Sequence, residues 1–238
     1  MKKKNILFII ITSILTVCLI VVSTLYIHTI TNQKENELTY YDHKCNGYLV
    51  NNHNLLKKQI AFIGDSITDL CQLDLYYDDL DLKSYNRGIG GDTTDGVLKR
   101  LKVSLYDIDP SIIVLMIGTN DIIGNKENTY ILENYEKIIK EINTNLATCK
   151  LICMSIIPTN YDINEYSNVN VTNHNNNAIY INSEISKLTN TYNFTYVDIY
   201  SLLIDENDVL KKEYSDDGLH LNHNGFIVWS NAIKHLLK

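Results

Sequence analysis

Residues 60–68 read Ile60-Ala61-Phe62-Ile63-Gly64-Asp65-Ser66-Ile67-Thr68. An apolar run closed by a glycine has the length and character of a strand buried on both faces, and such strands belong to parallel sheets covered by helices. Ser66 then stands just past the strand's carboxyl end. In an open parallel sheet that edge is where ligands bind, so the position gives each further motif a test: a residue after a strand can reach a ligand, one in mid-strand cannot.

The same unit recurs along the chain. Short apolar runs at 84–86, 112–117, 151–156 and 194–199 alternate with amphipathic stretches at 94–105, 129–148, 176–191 and 224–237, with a weaker helical pattern at 69–77. Thr129 and Asn224 stand where helix N-caps are expected. Five strands with about five helices between them, and no internal repeat, predict an α/β fold, a three-layer α/β/α sandwich on a five-stranded parallel sheet.

Composition agrees with one compact domain. The 238 residues are 45% hydrophobic with only 10 Gly and 2 Pro, which excludes collagenous and broadly disordered classes. The formal net charge is −7, and Lys2, Lys3 and Lys4 are the only formally charged side chains among the first thirty residues, so the rest is more acidic still. An acidic body with no basic stripe repels phosphate backbones, and no nucleic-acid partner is expected. The five cysteines, Cys18, Cys45, Cys71, Cys149 and Cys153, have neither the density of a disulfide scaffold nor the spacing of a zinc site, and read as buried thiols.

From Ile6 to His28 the chain is apolar and lacks formal charge, behind the three lysines. About 23 residues at about 1.5 Å each span a hydrocarbon core of about 30 Å, and no small-x-small cleavage site follows. Residues 1–30 are therefore expected to be an uncleaved transmembrane signal-anchor rather than a core helix. The lysines place the amino terminus in the cytoplasm and the body on the extracytoplasmic side of the cell membrane. Residues 31–56, polar and without a sustained period, read as a stalk, and 57–238 as the folded domain.

Four segments pass the strand-end test. A serine hydroxyl is a weak nucleophile unless a base takes its proton, and for an isolated strand-Gly-Asp-Ser the default is a serine capping the next helix. Asp216-Asp217-Gly218-Leu219-His220 supplies the missing partner: a D-x-x-H turn sets a carboxylate against one imidazole nitrogen and leaves the other to accept the Ser66 proton. Taken alone, that segment is also compatible with a surface loop, or with a metal pair of His220 and His223. Asn86-Arg87-Gly88-Ile89-Gly90-Gly91-Asp92-Thr93-Thr94 and Gly118-Thr119-Asn120-Asp121 each follow a strand. Gly91 through its backbone N–H and Asn120 through its amide suit an oxyanion. The glycine cluster also reads as a tight turn, or as a phosphate loop of neither the Walker nor the dinucleotide pattern. Asp65, Asp92 and Asp121 read as carboxylates that order their turns.

Together the four segments resemble the SGNH, or GDSL, hydrolase family of esterases and lipases, over the region from about Ile60 to the carboxyl terminus. Within it they look most like the branch with platelet-activating-factor acetylhydrolase catalytic subunits and bacterial lysophospholipase-like esterases. The resemblance implies a flavodoxin-like strand order 2-1-3-4-5 and a carboxylic-ester hydrolase. Ser66 would be its nucleophile, with His220 as base and Asp217 as orienter. The oxyanion hole would come from Ser66, Gly91 and Asn120, with no metal or organic cofactor. The expected substrate carries a small acyl group on a glycan, polar alcohol or lipid, the lean to a polar alcohol resting on the Asn- and Tyr-rich segment 159–177. Two alternatives stand beside it: a lysophospholipase or lipase acting on longer acyl chains, and a catalytically silent carbohydrate-binding module on the same fold. No feature sets the oligomeric state.

Overall fold

The computed structural model describes residues 3–160, 163 and 170–238, with the backbone alone at 3–10 and 29–39. Two compact units result, Met1–Asn46 and Gly47–Lys238. Helix α1, Lys3–Asn52, runs through the first and into the second.

In the first unit α1 is long and apolar enough to cross a membrane: the window Ile11–His28 has a mean hydropathy of 2.0. Three of the hydroxyls in that window are absorbed by the helix itself. Thr16 Oγ1 donates to Thr12 O and Ser23 Oγ to Ile20 O, both at 2.9 Å, and Thr24 Oγ1 also donates to Ile20 O. A polar side chain that returns its hydrogen to the preceding turn carries no unsatisfied donor into an apolar medium.

The second unit begins at Gly47, ahead of the Lys57 expected from sequence, and residues 31–52 are helical rather than an irregular stalk. Tyr48 and Asn52 explain the difference. One turn apart on α1, both are buried: Tyr48 OH donates to Gly88 O at 2.6 Å, and Asn52 Nδ2 donates to Val103 O at 2.8 Å. The Arg87 guanidinium lies 4.7 Å from the centre of the Tyr48 ring and donates to Asn52 Oδ1 at 2.8 Å. Contacts to residues that distant in sequence leave no periodic trace.

The rest is a βα succession. Strand β1, Ile60–Gly64, leads to α2, Ser66–Leu70, and α3, Asp74–Tyr77; β2, Ser84–Gly88, leads to α4, Thr94–Leu101. Strand β3, Ile112–Met116, is followed by α5, Thr119–Ile123, and α6, Asn128–Asn145. Then come β4, Lys150–Met154, α7, Val171–Thr191, β5, Thr195–Val197, α8, Tyr200–Leu203, and α9, His223–Ile233. All strand pairs are parallel, in the order β2-β1-β3-β4-β5. Ile60 stands opposite Ser84 on one side and Ile112 on the other. Fold class and strand order thus agree with the expectation.

Alternation along the strands fills both faces. Ala61, Ile63, Ile113, Leu115, Leu151 and Cys153 pack under α4, α6 and α7, while Ile60, Phe62, Ile112, Val114, Ile152 and Met154 pack under α3 and α9. Trp229 of α9 is fully buried, its ring centre 5.7 Å from Phe62 and 5.8 Å from Phe226. Truncating such an aromatic to alanine costs about 3–5 kcal/mol.

Helix ends differ from the sequence reading where the capping side chain sits outside the apolar pattern. Asn222, not Asn224, caps α9 by accepting from Gly225 N, and Asn170 caps α7 by accepting from Asn173 N, which starts that helix at Val171. Thr129 lies inside the first turn of α6. The helical pattern at 69–77 resolves into α2 and α3, and Leu101 passes into a π-helical turn, Lys102–Tyr106. Cys71, Cys149 and Cys153 are buried free thiols, whereas Cys18 is exposed.

Candidate active site

The strand order reverses direction between β1 and β3, and the carboxyl ends of strands at such a switch point are where open α/β sheets bind ligands. Ser66 follows β1 there and Asn120 follows β3. The capping role that Ser66 might have filled belongs to its neighbour: Asp65 Oδ1 accepts Ile67 N at 3.0 Å and starts α2. Ser66 is half-buried, with Oγ 2.8 Å from His220 Nε2.

The imidazole is held from behind. His220 Nδ1 meets Asp217 Oδ2 at 2.8 Å, while Asp217 Oδ1 accepts the backbone N–H groups of His220, at 2.7 Å, and Leu219, at 2.9 Å. Ser215 Oγ accepts Gly218 N at 2.9 Å, and Gly218 O accepts Asn160 N at 2.9 Å, so the turn is tied to the segment leaving β4. Burial works against the Asp217 charge, but the hydrogen bonds from the His220 ring and from the two backbone groups outweigh it and hold the carboxyl at about 2. A depressed carboxyl keeps its charge, and its grip on His220, at every pH above that value.

His223, the other candidate of the metal alternative, is engaged elsewhere: its Nδ1 lies 3.0 Å from Tyr76 OH. Among the described residues no three His, Cys, Asp or Glu side chains are grouped to hold a metal.

Gly91 is exposed, with φ +76°, a left-handed conformation that costs a residue with Cβ about 1–2 kcal/mol. The turn around it is pinned on both sides: Gly90 N donates to Asp69 Oδ2 at 3.1 Å and Asp92 N to Ile89 O at 3.1 Å. Asn120 Nδ2 donates to Asp92 O at 2.9 Å, which fixes the plane of the amide. Asp121 accepts both Thr94 N, at 2.9 Å, and Thr94 Oγ1, at 2.8 Å. Ser66, Gly91 and Asn120 therefore come from the loops after β1, β2 and β3, Asp217 and His220 come from the segment between α8 and α9, and the three members of the expected triad stand in hydrogen-bond sequence.

Several supporting residues were missed. Arg100 is fully buried and binds Asp92; Asn86 Nδ2 donates to Thr68 O and Cys71 O, bracing the segment after Ser66; Asn160 is buried beside the His220 turn. Arg100 had a signal. It falls on the apolar face of α4, where an arginine needs a buried partner, and Asp92 and Gly96 precede it in steps of four.

The sequence profile of the GDSL-like lipase/acylhydrolase family matches residues 62–226. The chain belongs to that family. That family is one of lipases and acylhydrolases, enzymes that act on ester bonds. Human platelet-activating factor acetylhydrolase IB subunit alpha2 is 39% identical over 104 residues, covering 42% of this chain and 44% of that protein. The bovine alpha1 subunit is 30% identical over 103 residues. The matched region thus spans less than half the length of these curated relatives. A solved structure described as a platelet activating factor from Streptococcus pneumoniae is 30% identical, with a TM-score of 0.80, covering 88% of this chain and 99% of that one. An acetyl xylan esterase structure, 19% identical with a TM-score of 0.62, shares the GDSL fold over 76% of this chain.

Next to Ser66, Asp65 is pushed up to about 7 by burial, with the carboxylates of Asp92 and Asp121 adding to the push and the Ile67 N–H opposing it. A carboxyl raised on folding binds more protons folded than unfolded, so its contribution is lost as pH rises from about 4 to about 7. Asp65→Asn is expected to flatten the fall in Tm between pH 5 and pH 8 by a few degrees in thermal melts. Equal slopes in both proteins would show that Asp65 carries no such penalty.

Proposed function

We propose that this chain is a serine esterase that cleaves carboxylic esters bearing a small acyl group on a glycan, polar alcohol or lipid. The observation that carries the reading is the relay Ser66 Oγ to His220 Nε2 and His220 Nδ1 to Asp217 Oδ2, each step 2.8 Å. In it His220 takes the Ser66 proton as Oγ attacks the ester carbonyl. Asp217 keeps the imidazole in the tautomer with a free Nε2 and stabilises the imidazolium. The charge on the carbonyl oxygen falls to the Ser66 N–H, the Gly91 N–H and the Asn120 amide. Asp92 O engages one of the two Asn120 hydrogens and the other serves the oxyanion. One such donor is worth about 3–4 kcal/mol in the transition state. His220 then returns its proton to the departing alcohol, and water repeats the sequence on the acyl-Ser66 to release the acid and restore the enzyme. A short acyl group is favoured because the relatives alike at 30–39% identity bear the name acetylhydrolase.

The full-length chain is expected to hydrolyse p-nitrophenyl acetate faster than the octanoate, and Ser66→Ala to lower the rate by at least about 10³-fold. Equal rates in wild type and Ser66→Ala would remove Ser66 from the mechanism. Faster octanoate cleavage would turn the assignment toward a lipase.

The reading includes a place in the cell. The apolar part of α1 holds the enzyme in the cell membrane, and Lys2, Lys3 and Lys4 keep the amino terminus inside, which sets the esterase on the extracytoplasmic side. Protease added to intact cells is expected to release or degrade the Gly47–Lys238 unit, and its complete protection until lysis would reverse the orientation.

A further inference from the structure

Three donors aimed at one oxyanion come from three separate loops, and something has to hold those loops in register. A single buried side chain bonds the backbone behind two of them and reaches the third through Asp92. Arg100 Nη2 donates to Gly64 O at 2.9 Å, two residues before Ser66; Nη1 donates to Arg87 O at 2.7 Å, at the end of β2 where the Gly91 loop departs; and Nε donates to Asp92 Oδ2 at 2.7 Å, next to Gly91. Asp92 carries the link onward, its carbonyl accepting the Asn120 amide at 2.9 Å. Ser104 Oγ accepts a further Nη1 hydrogen at 3.0 Å. The ion pair is closed to solvent, its two side chains 1% and 2% exposed. The fit is tight as well: a Cβ on Gly96 would lie 1.7 Å from Asp92 Oδ1. A planar fork with five donors can hold a carboxylate and two carbonyls at once, which a lysine ammonium on a flexible stem cannot.

We propose that Arg100 is a positioning residue for the oxyanion hole, acting through Asp92 and the Gly64 carbonyl to fix Ser66, Gly91 and Asn120 relative to one another. It touches no substrate. The inference rests on the esterase reading above and adds to it the residue that sets the hole's geometry. Since misplaced donors weaken the transition state more than the bound ester, the effect falls on kcat and spares KM.

The test is a double-mutant cycle in the full-length chain, with Arg100→Lys and Asn120→Ala singly and together, on p-nitrophenyl acetate. Rates are taken per active site counted by a serine-directed fluorophosphonate. Arg100→Lys is expected to lower kcat roughly 10- to 100-fold at near-constant KM, less than the loss of a whole donor. In the Asn120→Ala background the same change is expected to cost under about 3-fold, because a hole already broken has little left to position. Losses that multiply independently, or a lower count of active sites with kcat per site unchanged, would make Arg100 a residue of stability alone and overturn the proposal. If Arg100→Lys does not fold, Gly96→Ala, which displaces Asp92 from the other side, is read by the same cycle and the same criteria. A wild type that is inactive, or as active as Ser66→Ala, would instead defeat the esterase reading, so the two failures are distinct.

Discussion

Strands β1 and β3 are buried from first residue to last, and a strand that meets no water along its length can present polar chemistry only at an end. Parallel pairing then puts all carboxyl ends on one edge. Because β1 lies between β2 and β3, the loops that leave these three strands open beside one another. Ser66, Gly91 and Asn120 occupy those three loops. The fourth loop, with Asp217 and His220, arrives from the far side of the sheet and is fastened to the β4 exit through Asn160 N and Gly218 O. Ser66 and His220 are 154 residues apart in sequence, and Oγ and Nε2 are 2.8 Å apart in space.

The same burial that shapes this edge makes its charges expensive. Asp65, Asp92 and Asp121 are all held above the usual carboxylate range by desolvation, and Asp92 alone among the three has a buried guanidinium against it. A buried ion pair returns little net stability against a well-packed apolar substitute. What it does supply is direction: donors and acceptors fixed at set angles around a site whose chemistry depends on angles. Asp217 differs because it is only partly buried, and the hydrogen bonds from the His220 ring and from the His220 and Leu219 backbones keep it charged.

Much of this could be read from the chain. Strand positions followed from runs such as Ile60-Ala61-Phe62-Ile63, because burial on both faces writes itself into consecutive residues. The candidate site followed from which residues come directly after those runs. The parts that escaped depend on contacts between distant residues. Tyr48 and Asn52 sit in a polar stretch and gain their place from Gly88, Arg87 and Val103; Asn222 displaced Asn224 as cap by one reach of a side chain; Asp65 took the capping bond that could have been Ser66's. Arg100 was passed over because a charged residue on a helix is ordinarily solvated, although its place on the apolar face of α4 hinted at the buried partner that Asp92 provides. Of the segment 159–177, on which the lean to a polar alcohol rests, residues 161, 162 and 164–169 lie outside the described residues.

The account stands on Ser66 being made nucleophilic by His220. The direct measurement is to label the full-length chain with a fluorophosphonate, locate the adduct by peptide mass spectrometry, and time its formation in wild type and His220→Ala. The account expects one adduct, on Ser66, forming at least about 100-fold more slowly without the imidazole. An adduct on another residue, or equal labelling rates in the two proteins, would contradict it.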